Sequence, residues 1–333
     1  MCNCDKLLAA IDRYIAKADD DLTEQLRLEG YEAPAETVKL ISEIEDEVAE
    51  ALVAETDHYV RAAAEYSKND PRGALDLKEF FGRGWTSSHK KDKLAGALYS
   101  IFGKKLTKYM PQYIQYYLQK SDKGLKFVKM TERTTDWING WSRELGRNAQ
   151  LTSVKQIEGI LTEGIELGKG IDWFVKRIRD DGIHSEYYRA RRMALTEVLR
   201  LHSVAQDEAR MQSPAVTDKM WRHTGNYRNV PRDNHVDMDG QIVPKNKPFK
   251  LIGRDGETYE PQYPRDVILP PEESVNCHCL AQNIVSDKIL GLSLEERQRL
   301  QAEAIAEMDK KWEDELDRKN RERSLIDIQR SSL

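Results

Sequence analysis

Apolar positions recur at helical spacing along most of this chain. Leu7, Leu8, Ile11 and Ile15 share one face of a short helix within residues 1–30. The clearest stripe lies in residues 35–66, where Val38, Ile41, Ile44, Val48 and Leu52 step by three or four; Glu55 interrupts it and Tyr59 resumes it. Asn69-Asp70-Pro71-Arg72-Gly73 and Gly82-Arg83-Gly84 read as turns. Leu94, Leu98, Ile101, Tyr109, Ile114, Tyr117 and Leu118 mark helical structure over 91–120, in which Pro111 must begin, kink or end a helix. Ser153 with Gln156 forms a capping box that opens a helix through Ile160, Leu161 and Ile165, closed by Gly168 and Gly170. A helix near 171–181 and a longer one over 185–212 follow, the latter with Met193, Leu195, Val198, Leu199 and Val204 on its apolar side and Ser213-Pro214 at its end.

The pattern changes near residue 215. From there to 286 the chain has seven prolines and four glycines, and only short strands fit, at 218–223, 241–243 and 280–285. Residues 292–323 are helical again, capped by Ser293 with Glu296 and striped by Leu300, Ile305, Met308, Trp312 and Leu316; the helix either packs back on the domain or joins an oligomeric coil. The expected class is α+β: a mainly helical N-terminal region over 1–149, a small loop-rich α+β domain within 150–286, and a C-terminal helical tail over 287–333.

Composition narrows this. A length of 333 residues favours two or three structural units. Charged residues at 33% against 39% hydrophobic suit long solvated helices, and the acidic run Glu43, Glu45, Asp46 and Glu47 reads as a wet helix face. A net charge of −5 argues against a module that coats DNA, so DNA contact is left to a local patch such as Arg189, Arg191, Arg192 and Arg200. The four cysteines form two close pairs, Cys2/Cys4 and Cys277/Cys279, which is not a disulfide framework. With no apolar run of membrane length and no leader pattern, the expectation is a soluble protein made in a reducing cytoplasm.

The most informative residues come in a fixed order. Arg189-Ala190-Arg191-Arg192-Met193-Ala194-Leu195-Thr196-Glu197 is followed by Trp221, then Arg232-Asp233-Asn234-His235, then Asp239-Gly240. A proline-rich interval leads to Asn276-Cys277-His278-Cys279. This order resembles the phage Mu F-like, SPP1-type minor head (head morphogenesis) protein family. Arg189, Ala190, Thr196, Glu197, Trp221, Arg232, His235, Asp239, Gly240 and the two closing cysteines match its motifs. Leu195 and His278 stand where the family has arginine, which removes charge at two points. The resemblance implies a minor capsid component, not an enzyme, that binds the phage portal protein and inner capsid during assembly. It would reside in the virion, or in the host cytoplasm while heads form, and a prophage origin fits the same resemblance. A part in DNA packaging or ejection is also implied, and no membrane.

Three chemistries compete for the same side chains. His235, Cys277 and Cys279 are soft and borderline ligands suited to Zn²⁺; His223, Asp233, Asp237 or Asp239 would complete four ligands, or Cys2 and Cys4 would supply thiolates. In an extended Cys277–Cys279 segment both thiols share a face and His278 points away. Alternatively Arg232, Asp233, His235 and Asp239 would serve a metal-dependent nuclease or toxin-like enzyme, with His235 as general base. The plainest reading is structural: buried thiols, His235 bonded across the Asp239-Gly240 turn, an Arg232–Asp239 ion pair, and Trp221 as a core anchor.

Overall fold

The computed structural model describes residues 19–68, 77–85, 90–224 and 231–331. It is a mainly helical α+β fold, 69% helix with small antiparallel sheets. The short helix expected at Leu7–Ile15, the Cys2/Cys4 pair and the turn at Asn69–Gly73 lie outside the described residues. Up to residue 212 four long helices dominate the described residues: α1 (Pro34–Lys68), α2 (Leu94–Ser121), α3 (Glu132–Glu166) and α4 (Ile171–Gln212). The chain divides into two compact units. Among the described residues, one holds 19–38, Thr107–Ile138 and those from Leu199 onward; the other holds those within Lys39–Leu106 and Asn139–Val198.

Helix α1 forms where its apolar period predicts: Val38, Ile41, Ile44, Val48, Leu52 and Tyr59 are all buried. The acidic residues beside that stripe are not simply wet. Glu43 and Glu47 both reach Lys105 Nζ, at 2.9 and 2.8 Å, and Glu45 accepts from Arg191 at 2.7 Å. Helix α2 runs through Pro111 without ending. The proline forfeits one backbone hydrogen bond, and the carbonyl it releases belongs to the exposed Thr107, where water can serve it.

Two expected boundaries move. Ser153 does not cap a helix; it lies buried inside α3, where Ser153 Oγ and Gln156 Oε1 take hydrogen bonds from the Arg189 guanidinium at 3.0 and 3.3 Å. Charge-assisted bonds from one guanidinium, the one to Ser153 part-buried and the one to Gln156 exposed, thus claim the polar pair that would otherwise mark a helix start. The two helices expected after residue 170 are one, because Gly182 alone interrupts the helical sequence there, and one interior glycine costs only about 1 kcal/mol. The expected ends hold: Gly168 (φ +63°) closes α3 in the left-handed conformation, and α4 stops at Gln212, before Ser213-Pro214.

The second unit, Lys39–Leu106 with Asn139–Val198, has an aromatic-rich core in which Phe80 and Phe174 meet at 5.9 Å, with Tyr59, Trp85, Leu161 and Ile171 around them. Glu55 is buried beside this core, and its Oε1 lacks a hydrogen-bond partner. Burial, reinforced by Asp92 and only partly offset by Ser153 and Arg189, pushes its carboxyl up to about 8 from an ordinary 4.5. Between those two values the unfolded chain ionises Glu55 while the folded chain keeps the proton, so stability falls as pH rises through that window. Glu55→Gln is therefore expected to raise stability by about 2–4 kcal/mol at pH ~8 and to change little at pH ~4. Urea denaturation at the two pH values checks this; an equal effect at both would contradict it.

The first unit carries the sheets. Strand β1 (Val216–Arg222) is central, with β2 (Ile242–Pro244) and β5 (Leu280–Val285) antiparallel on either side; β3 (Leu251–Ile252) and β4 (Thr258–Tyr259) form a separate hairpin. Pairing of Trp221 with Ala281 and Met220 with Ile242 sets the register. Short helices α5 (Asp233–Asp237), α6 (Pro271–Ser274) and α7 (Asp287–Leu290) fill the connections. The final helix, α8 (Leu294–Ser331), starts as expected with Ser293 Oγ accepting the Glu296 N–H, and it packs back on its own unit. Arg297 pairs with Asp122, Gln301 donates to the Lys126 carbonyl, Ile305 is buried, and Trp312 Nε1 donates to Asp136 at 2.8 Å.

Of the tyrosines grouped on α2, Tyr113 and Tyr117 turn inward around the buried His202, while Tyr109 and Tyr116 are half-exposed. Tyr117 OH lies 2.8 Å from His202 Nδ1 and Thr37 Oγ1 lies 2.9 Å from Nε2. Burial first, and the positive charges of Arg265 and Lys120 second, hold His202 well below the usual imidazole range, so it is a neutral core group.

Candidate functional site

The end of β1 organises the site. Trp221 bonds through its N–H to the Gln241 carbonyl and through its C=O to Gly240 N–H, both at 2.9 Å, which clamps the preceding turn onto the strand. Gly240 takes φ +83°, a conformation a side chain would resist. Asp239 Oδ1 accepts the His223 N–H at 2.8 Å, with Arg222 Nε 4.0 Å away. The expected Arg232–Asp239 pairing is replaced: Arg232 donates to the carbonyls of Glu272 (2.7 Å) and Val275 (2.6 Å) and so ties α5 to α6. A guanidinium satisfies two backbone acceptors at once, and Asp239 is already used by the backbone of residue 223.

Helix α5 delivers His235, 2% exposed, to the two thiols. His235 Nδ1 lies 3.5 Å from Cys277 Sγ and 3.6 Å from Cys279 Sγ; the ligand atoms of these three residues all fall within 4.8 Å of one another. His235 Nε2 lies 2.9 Å from Glu273 Oε2, and Glu273, 1% exposed, also accepts the Arg254 N–H at 2.9 Å. An ionised carboxylate can only accept, so the imidazole proton sits on Nε2 and the Nδ1 lone pair faces the sulfurs. His235 does not bond across the Asp239-Gly240 turn as the structural reading expected; the carboxylate of Glu273 holds it instead. A fourth ring is near: His223 Nδ1 is 3.7 Å from Cys279 Sγ.

Cys277 and Cys279 are buried, free, and lie in extended backbone just before β5. Asn276, in the left-handed region at φ +54°, sets the chain's entry into this segment. The alternation of extended backbone sends His278 the other way, with Nδ1 2.8 Å from Glu29 Oε2. The two thiols titrate as a pair. Cys277 is held well below the thiol range by the hydrogen bond from Cys279 and by the Arg265 charge; Cys279 is pushed well above it by donating that bond, by burial and by the neighbouring charge.

Arg265, which carried no recognisable signal in the sequence, locks this segment. It is fully buried at φ +65°, and it donates to the carbonyls of Cys277 (2.6 Å) and Cys279 (3.0 Å) and to Ser203 Oγ (2.7 Å). Arg200 in turn donates to the Arg265 carbonyl. Glu273 was likewise missed; a glutamate after two prolines looks like a helix first-turn acid and nothing more. Trp221 is fully buried, its ring meeting those of His235 (5.7 Å, 86°) and Phe249 (5.3 Å, 86°) edge-on.

The structure thus gathers Trp221, Arg232, His235, Asp239, Gly240, Cys277 and Cys279 in one unit. Arg189, Ala190, Thr196 and Glu197 belong to the other. There Arg189 bonds α3, Ala190 and Thr196 are buried, and Glu197 accepts from Trp141 Nε1 at 2.6 Å. No helix among the described residues is long and apolar enough to cross a membrane.

Comparison with known proteins supports a family. Residues 155–282 match the model of the phage Mu protein F-like proteins. The chain is 32% identical over 312 residues to YqbB of Bacillus subtilis strain 168, itself described as uncharacterised, covering 93% of this chain and 100% of that protein. No solved structure matches. With the family match over residues 155–282 and its likeness to that relative over 93% of its length, the chain belongs to the phage Mu F-like family of head morphogenesis proteins.

Proposed function

We propose that this chain is a minor head protein that docks on the portal and inner capsid surface while the head is built. In this reading the segment 150–286 is the docking domain, flanked by a helical region over 1–149 and a tail over 287–333. It acts in the virion interior and in the host cytoplasm during assembly, with packaging or ejection of DNA as downstream steps.

The observation that carries it is the use to which the motif residues are put. His235 is 2% exposed with both ring nitrogens engaged, by Glu273 on one side and by two thiols on the other. A general base must reach its substrate's proton within about 3 Å or through one water. Arg232, the other residue a nuclease would need, is spent on backbone carbonyls. These side chains hold shape, which is what an assembly component requires of them and what a nuclease would not. Affinity purification of the tagged chain from cells making the phage is expected to bring the portal protein with it. Purified protein that cuts DNA in a His235-dependent way, without retaining portal protein, would overturn the reading.

A further inference from the structure

We propose that His223, His235, Cys277 and Cys279 form a structural Zn²⁺ site that joins three separate segments of the chain: the residue after β1, helix α5 and the extended stretch before β5. The site is independent of whether the protein docks on a portal.

The distances favour a common centre. Zinc bonds of about 2.3 Å to sulfur and about 2.0–2.1 Å to nitrogen, at tetrahedral angles, place sulfur and nitrogen ligands about 3.5 Å apart. His235 Nδ1 lies 3.5 and 3.6 Å from the two sulfurs, and these three donors fall within 4.8 Å of one another; His223 Nδ1 is 3.7 Å from Cys279 Sγ but stands outside that mutual group, so it reaches a shared metal only by a shift of its ring. All four donors are of the types zinc prefers, and two thiolates with two neutral imidazoles make a neutral site overall. The surroundings match as well. A metal-bound histidine characteristically donates its other N–H to a carboxylate, which fixes the ring and its tautomer. Glu273 occupies that position on His235, and the backbone N–H of Arg254 fixes Glu273 in turn.

Trp221 adds an independent observation. Its Nε1 is buried without a hydrogen-bond partner, and its residue lies on β1 opposite Ala281, two positions from Cys279, with its ring edge-on to that of His235. A metal thiolate is the acceptor such an N–H needs, since sulfur bound to metal keeps lone pairs that a protonated thiol offers poorly. The fold also has a use for the metal. His235 and Cys277 are 42 residues apart and His223 and Cys279 are 56 apart, and the strands among the described residues between them have only two or three residues. Such a segment has little sheet to stabilise it, and a metal cross-link compensates. His223 is half-exposed and lines a cleft with Glu29, Arg222 and Thr224, so it is the ligand that water can replace.

The test uses the full-length chain, purified under reducing conditions, with zinc measured by mass spectrometry and both thiol pairs counted before and after chelation. About one zinc per chain is expected, protecting Cys277 and Cys279 from thiol reagents. Cobalt added to the stripped protein should give the visible d–d bands of a tetrahedral site and a thiolate charge-transfer band. The Cys277→Ser variant should lose that charge-transfer intensity in part, and the double variant Cys277→Ser/Cys279→Ser completely. Cys2→Ser/Cys4→Ser should retain both metal and bands. His223→Ala should still bind cobalt, with shifted bands, because water fills the fourth position. Glu273→Gln, which leaves all four ligands in place, should weaken zinc by about 10–100-fold in a chelator competition. A folded, reduced wild-type chain that takes up neither zinc nor cobalt overturns the proposal. Metal that is lost with Cys2 and Cys4, or bands unchanged in Cys277→Ser, overturns it too.

Discussion

Replacing Arg265 with methionine is expected to destabilise the folded protein by about 3–5 kcal/mol. The guanidinium is fully buried and satisfies two carbonyls and a serine hydroxyl, all within 3.0 Å. Methionine nearly matches its length and would keep part of the contact with the Tyr31 ring, which lies 6.0 Å beneath the charge. It cannot donate. Each buried carbonyl left without a donor costs about 1–3 kcal/mol, and here the carbonyls of Cys277 and Cys279 lose theirs together. The left-handed backbone at this position, φ +65°, is retained in both proteins and cancels from the comparison. Denaturant unfolding of the two chains gives the difference. A loss below about 1 kcal/mol would mean that water reaches those carbonyls and that Arg265 is not the lock it looks like.

Trp221→Ala is expected to cost a similar amount, about 3–5 kcal/mol, for a different reason. The indole is the largest fully buried side chain, seated edge-on against His235 and Phe249 on the central strand of the sheet. Truncation opens a cavity whose walls are held by backbone pairing to β2 and β5 and cannot collapse into it. Trp221→Phe keeps an edge-on ring and should lose only about 1–2 kcal/mol. Equal losses for the two variants would show that ring packing is not what matters. Thermal and denaturant unfolding, with histidine resonances as a local probe of His235, separate these outcomes.

Long-range order in this molecule was legible to the extent that it rests on periodicity. The stripe from Val38 to Tyr59 is visible because one face of a helix repeats, and the strand at 280–285 because only short strands fit the proline-rich region after residue 215. Ser153 misled because a capping box and a pair of acceptors for a distant arginine have the same letters. The split expected between residues 181 and 185 fails because the one glycine there, Gly182, costs only about 1 kcal/mol in a helix of 42 residues. In the site, the residue types and spacing of His235, Cys277 and Cys279 announced themselves, and the alternation of extended backbone separated His278 from them. Arg265 and Glu273 did not, since their roles depend on a loop geometry built from positive φ at Arg265 and Asn276, which leaves no periodic trace. The acidic run on α1 looked solvated because its partners, Lys105 and Arg191, are 58 or more residues away in sequence.

The central claim is that the buried centre around His235 serves the construction of a virion instead of the turnover of a substrate. Quantitative mass spectrometry of heads purified from cells producing the phage tests it most directly. The chain should be found in those heads with the portal protein, in few copies, and should fall out of them when Trp221→Ala or Arg265→Met unfolds the unit that carries this centre. A chain absent from purified heads, recovered free in the lysate as a protein that cleaves DNA, would contradict it.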